Sequence, residues 1–278
     1  MLQVAITGGK GGVGKSTIAV LLAIRLSGKQ KVVLIDADVE GPNDYLLLNQ
    51  QLKKPVEKIF AKFPILDRNK CQRCGLCAQK CRFNAIFAPV GKYPVFLHEL
   101  CANCGLCWRI CPFGAIKIRK KIIGRIFDSK ISNNLHLITG RTVGIVDETG
   151  PIVSALRKYG LKRAEKLKAE TILIDTAPGT HCNVIHALLN VDRALAVTEP
   201  TPLGAHDLKL ILKLLKVLKI PVEIVLNQAD LGDRKLIDKI AQKAGIEIKF
   251  EILYSKKIAK LYSEGQLDKL NIQKLFLQ

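Results

Sequence analysis

With 278 residues and 48 % apolar content, the chain can bury one large core, or one core plus a small appended module. No run approaches the ~18 uninterrupted apolar residues of a membrane span, and Met1 leads straight into a strand-like segment, so a cytoplasmic protein is expected. The balance of 44 Lys+Arg against 24 Asp+Glu, formally +20, points to an acidic partner. Nucleic acid is less favoured, because aromatics are only 5 % and no basic stretch interleaves with stacking rings.

The first predicted strand, Leu2–Thr7, runs into Gly8 to Thr17, and a helix follows over Ser16–Ser27 with Gly28 as its stop. Within that loop Gly9, Gly14, Lys15 and Ser16 satisfy G-x-x-x-x-G-K-[ST], in the strand–loop–helix setting the pattern requires. Glycines lack Cβ atoms, so successive backbone N–H groups can turn inward around phosphate oxygens at a helix N-terminus. Gly9, Lys10, Gly11, Gly12, Val13, Gly14, Lys15, Ser16 and Thr17 are therefore assigned to a nucleotide cradle. Lys15 is suited to the β/γ-phosphates, and the Ser16 hydroxyl to Mg²⁺. The second strand, Val32–Ile35, ends in Asp36-Ala-Asp38 at the edge where the phosphate loop lies. Asp38 is suited to orienting the attacking water and Asp36 to a place near the metal; both also fit the plainer role of capping the following turn.

From about Gln50 the composition shifts. Eight of the nine cysteines fall in two copies of C-x₂-C-x₂-C-x₃-C thirty residues apart, Cys71/Cys74/Cys77/Cys81 and Cys101/Cys104/Cys107/Cys111. In a cytosolic chain this pattern points to metal or redox chemistry rather than disulfides. The spacing is that of bacterial two-cluster ferredoxins, where the fourth thiolate crosses to the other cluster. One [4Fe–4S] cluster is assigned to Cys71, Cys74, Cys77 and Cys111, the other to Cys101, Cys104, Cys107 and Cys81. A tetrahedral zinc site is the alternative, which the paired three-cysteine runs suit less well. Pro112 follows the second copy as in ferredoxins, and Arg82 stands at the equivalent place in the first. Phe83, Ile86, Phe113 and Ile116 occupy matching positions and are expected to form a miniature core around the clusters. Trp108 is read as core rather than as a docking aromatic.

Beyond Lys117 the α/β rhythm returns, with strands at Leu135–Thr139 and Thr142–Val146 and a basic helix from Pro151 to Lys168. A buried strand, Thr171–Ile174, ends in Asp175-Thr-Ala-Pro-Gly179. Asp175 is suited to holding Mg²⁺ through water, and the Gly179 N–H to sensing a γ-phosphate. Further βα units follow at Ala194–Thr198, Ala205–Lys219 and Val222–Leu226. Asn227, at the exit of the last strand, can read an adenine edge or serve as a turn residue. Cys182 is expected to be a small buried residue.

The fold class is α/β, a mostly parallel doubly wound sheet with an inserted ferredoxin-like two-cluster domain. The nucleotide domain is expected over 1–66 and 118–278 and the insert over 67–117.

The chain resembles the MinD/ParA/Mrp group of P-loop ATPases, relatives of the nitrogenase iron protein, carrying an inserted ferredoxin domain. Its marks are Lys10 in the phosphate loop, the run Asp36–Asn43, the run Asp175–Gly179 and the closing segment Ile258–Gly265. The resemblance implies that Lys10 reaches the nucleotide of a second subunit, and hence an ATP-sandwiched homodimer. It also implies that carrier members hold a bridging cluster on a C-x₂-C pair late in the domain, where this chain has only Cys182. In cell-division members the C-terminus is an amphipathic membrane helix, which the tail Asn271–Gln278 is too short and mixed to form.

Three functions fit these features. ATP binding and hydrolysis could gate electron delivery through the clusters to a redox partner; clusters or a metallocofactor could be handed to an apo-protein; or a positioning ATPase could bind DNA or membrane with its clusters as a redox sensor. Closed ligation by eight cysteines favours the first.

Overall fold

The computed structural model describes residues 1–144, 146 and 148–270. These divide into two compact units: Met1–Glu57, Ile126–Arg141 and the chain from Thr149 form the first, Lys58–Arg125 with Thr142–Glu148 the second. The tail reading at Asn271–Gln278 lies outside the described residues.

In chain order the elements begin with β1 (Leu2–Thr7), α1 (Lys15–Ser27), β2 (Val32–Asp36), α2 (Asp44–Leu47) and β3 (Glu57–Leu66). Next come α3 (Leu76–Gln79), β4 (Ile86–Phe87), β5 (Val95–Phe96), α4 (Leu106–Ile110), β6 (Ile116–Lys130) and β7 (Leu135–Thr142). The chain continues through α5 (Gly150–Leu167), β8 (Thr171–Asp175), α6 (Cys182–Leu188), β9 (Arg193–Thr198) and α7 (Pro202–Val217). It closes with β10 (Val222–Asn227), α8 (Lys235–Ala244), β11 (Ile248–Ile252) and α9 (Lys256–Ser263).

In the first unit the apolar runs become strands buried on both faces, as parallel sheets require. Their order is β11-β10-β9-β1-β8-β2-β7, and all six neighbouring pairs are parallel. Parallel strands bring their carboxyl ends to one edge, so Thr7, Asp36, Asp175, Thr198 and Asn227 all leave the sheet there. Helix α1 anchors that edge by burying Ile18, Val20 and Leu21 with Ile6, Leu34 and Leu173, each such side chain contributing ~1.5–3 kcal/mol. Two expectations are corrected. β7 runs unbroken through Thr142, so the second strand expected at Thr142–Val146 does not form among its described residues: Val143 donates to the Ile123 carbonyl and Gly144 turns at φ +74°. Cys182 is exposed, because it opens α6 on the solvent side.

In the second unit the sequence repeat is also a backbone repeat. Arg73, Gly75 and Asn84 have φ of 56°, 73° and 51°, and Asn103, Gly105 and Gly114, thirty positions on, have 55°, 80° and 56°. Gly75 and Gly105 each precede a one-turn helix, α3 and α4. β3 neighbours β6, and β4 pairs antiparallel with β5. The miniature core forms only in part. Ile86 and Ile116 are buried, but Phe83 and Phe113 are 48 % and 44 % exposed. They sit in the turns just before Asn84 and Gly114, which project outward before the chain re-enters as β4 and β6. Trp108 is half-buried, its indole lying over Gly105. Among the described residues no helix is long and apolar enough to cross a membrane.

Candidate nucleotide cleft and cysteine cavities

At the carboxyl edge of the first unit's sheet lies a cleft of about 430 Å³. Gly11, Gly12, Gly14, Lys15, Ser16, Thr17, Asp38 and Asn227 line it, together with Asn43, Pro178, Tyr254 and Tyr262. Gly12 and Gly14 have φ of 85° and 94°, where a side chain is strained. At Gly14 a Cβ would also meet the Asn227 amide nitrogen at 2.3 Å. That nitrogen donates to the Val13 carbonyl at 2.9 Å, so Asn227 holds the loop from beneath. Gly9 packs against Asp207, where a Cβ would come within 2.4 Å.

The two loop lysines are already engaged. Lys15 is 7 % exposed, and its ammonium donates to the Lys10 carbonyl at 2.9 Å. Burial lowers its pKa, while Asp175 and Asp38 pull it back up. The Lys10 ammonium pairs with Glu199 at 2.7 Å, and Thr201 donates its hydroxyl to the same carboxylate oxygen. The Gly179 N–H, expected to face a phosphate, donates to the Gly8 carbonyl at 3.2 Å in this state, joining the two loops.

Beneath the loop three carboxylates converge. Asp36 and Asp175 are register partners on adjacent strands, and with Asp44 each brings an oxygen within 4.8 Å of the others. Asp36 is held by N–H donors from Asp38, Asn43 and Asp44. Both oxygens of Asp44 are buried without a hydrogen-bond partner, and those of Asp175 are buried with only the Ser16 hydroxyl and the Thr176 N–H nearby. Buried carboxylates left unpartnered are costly unless a proton or a cation reaches them, so this donor set fits a hard divalent ion with oxygen ligands. Asp38, half-buried, caps Gly41 and has its pKa raised by burial.

Burial pushes the Asp175 carboxyl up to about 7 against the pull of Ser16 and Lys15, and burial and mutual repulsion hold Asp36 and Asp44 well above the usual carboxylate range. The cation-free folded state therefore binds protons that the unfolded chain releases. That contribution is fully present below the ordinary value of 3.8 and is lost as pH rises through about 7. The melting temperature, measured in chelator, is expected to fall more steeply between about pH 5 and 8 in the parent than in Asp175→Asn. Equal slopes would contradict this.

In the second unit, one cavity is lined by Cys71, Cys74, Cys77 and Cys111, and a separate one by Cys81, Cys101, Cys104 and Cys107. Neither lining holds a carboxylate or an imidazole, so the donors are sulfur alone. Burial raises the thiol pKa of Cys77 and Cys101 and pushes Cys107 up to about 11, which a bound cation would reverse. The Ala115 N–H already points at the Cys111 sulfur, at 3.3 Å.

The sequence reading did not single out Asp44 or Glu199. Asp44 follows Gly41-Pro-Asn43 as an ordinary helix-opening acid, and Glu199 lies outside every motif.

Residues 4–268 match the model of the CobQ/CobB/MinD/ParA nucleotide binding domain. A protein of Methanocaldococcus jannaschii without an assigned function is 36 % identical over 96 % of this chain and 91 % of its own length. From the same organism, a protein named iron-sulfur cluster carrier protein is 26 % identical over 79 % of this chain and 57 % of its own. Among solved structures, the cell division ATPase MinD of Pyrococcus furiosus superposes with a TM-score of 0.58 at 18 % identity, covering 99 % of this chain and 94 % of that one.

Proposed function

The chain belongs to the CobQ/CobB/MinD/ParA nucleotide-binding family and is a P-loop ATPase, and on that footing we propose that it couples ATP binding and hydrolysis to electron transfer through two [4Fe–4S] clusters. The observation that supports the redox half most directly is the division of eight cysteines between two cavities, three from one copy of the repeat and the fourth from the other. A cubane takes four thiolates and supplies one-electron chemistry when bound.

In the nucleotide cleft the loop N–H groups and Lys15 bind the phosphates of ATP, Ser16 with Asp36 and Asp175 holds Mg²⁺, and Asp38 orients the attacking water. Asn227 supports the loop at the base end. Lys10 serves a second copy of the chain in a homodimer, which requires it to leave Glu199. The pair is 25 % and 14 % exposed, and ion pairs that still reach solvent contribute ~0–1 kcal/mol. Glu199→Gln is therefore expected to tighten ATP-dependent dimerisation by up to ~5-fold, as read by analytical ultracentrifugation; weaker dimerisation would show that Glu199 supports the interface instead.

The deciding experiment is anaerobic. The reduced, cluster-loaded protein is examined by EPR and its reduction potentials are measured with and without Mg-ATP. A shift in potential or in cluster–cluster coupling is expected; spectra and potentials indifferent to nucleotide would remove the coupling.

A second reading, a cluster carrier, draws on the relative of that name and on the exposure of Cys74 and Cys104. It predicts ATP-stimulated transfer of iron and sulfide to an apo-protein, which the redox reading does not.

A further inference from the structure

The three carboxylates beneath the phosphate loop are placed for a cation before any nucleotide arrives. Asp36, Asp44 and Asp175 are 0 %, 0 % and 1 % exposed. Oxygens on a common six-coordinate divalent ion lie about 3 to 5 Å apart, given metal–oxygen distances of ~2.0–2.6 Å, and here one oxygen of each residue lies within 4.8 Å of the others. Asp36 is fixed by three backbone donors, two of them from Asn43 and Asp44 themselves. The backbone of Asp44 is thus spent on orienting Asp36, while its own side chain enters the group with both oxygens unpartnered. The Asn43 side-chain oxygen, next in the chain, is likewise buried and unpartnered. The Lys15 ammonium faces Asp175 and Asp38 rather than Asp36 or Asp44. Its hydrogen bond goes to the Lys10 carbonyl, so no donor on the loop serves Asp44.

We propose that Asp36, Asp44 and Asp175 form a nucleotide-independent site for a hard divalent cation, with Asp44 as the ligand that completes it. The cation then precedes ATP into the cleft, and phosphate oxygens arrive on a site already charged. This deepens the reading of the cleft as a nucleotide site, but binding of the metal alone does not depend on that reading.

The test uses anaerobically purified protein, freed of nucleotide and titrated with Mn²⁺ while the EPR signal of free Mn²⁺ is followed. Soft thiolates compete poorly for this ion. About one Mn²⁺ per chain is expected to be taken up without nucleotide and displaced by Mg²⁺. Asp44→Asn, with a circular dichroism spectrum like the parent's, is expected to bind it ~100-fold more weakly, and Asp44→Ser serves if the first variant does not fold. Parent protein that leaves Mn²⁺ free until an ATP analogue is added overturns the inference and leaves the ATPase reading intact, as does a folded Asp44 variant that binds like the parent. Mn²⁺ uptake by a chain that fails to bind the analogue supports the inference and removes the nucleotide reading.

Discussion

Lys15→Ala is expected to lower ATP turnover by ~10³-fold, the scale lost when one preorganised donor to a developing oxyanion is removed. The side chain is buried, its ammonium tied to the Lys10 carbonyl and set opposite Asp175 and Asp38. Truncation removes the phosphate contact and opens the loop by deleting the bond that spans it. It also leaves Asp175 and Asp38 with no ammonium facing them, which adds to the loss of the buried hydrogen bond. Phosphate release and thermal melting should therefore fall together in Lys15→Ala. Lys10→Ala and Asp38→Ala are expected to separate the two, keeping ATP binding while losing turnover. Parent-rate hydrolysis in either variant would take that residue out of the reaction.

Serine substitutions at the fourth cysteines should reveal the proposed crossed ligation. Cys111→Ser is expected to cost the cluster held by Cys71, Cys74 and Cys77, and Cys81→Ser the cluster held by Cys101, Cys104 and Cys107, because each lines the other copy's cavity. Each single variant should retain about half the iron of the parent, since each cubane depends on its own four thiolates. The pairings discriminate further. Cys71→Ser with Cys111→Ser removes two ligands of one cluster and should lose no more iron than either alone, whereas Cys71→Ser with Cys81→Ser should lose nearly all. Iron and sulfide analysis of anaerobically purified variants reads the difference, and the reverse pattern would assign each cluster to its own copy of the repeat.

How much of this was legible depended on whether a residue's chemistry was local. The phosphate loop, the Asp36-Ala-Asp38 strand end and the cysteine repeat carry their meaning in spacing, and parallel strands deliver the first two to predictable places. The repeat extends to the backbone, since Gly75 and Gly105 occupy the same left-handed conformation. What escaped was set by tertiary packing. Asp44 looks like an ordinary helix-opening acid, and only the approach of two strand ends makes it a buried, unpartnered carboxylate. Glu199 matters only because its loop lies beside Lys10. Phe83 and Phe113 misled for the opposite reason: aromatic residues at matching positions imply a core, but the left-handed turns after them point them at solvent.

The splice of the second unit between β2 and β7 has a consequence for synthesis. β2 lies between β7 and β8, and both of its neighbours come from beyond residue 134. At ~5–20 residues per second, the apolar Val32–Ile35 segment waits on the order of ten seconds for its first sheet neighbour to leave the ribosome. The cysteine-bearing segment is translated within that interval. Under the proposed two-cluster reading, metal insertion on a growing chain therefore has its opportunity before the nucleotide cleft exists, and a shortage of iron or sulfide would be felt first by a chain whose largest sheet is still incomplete.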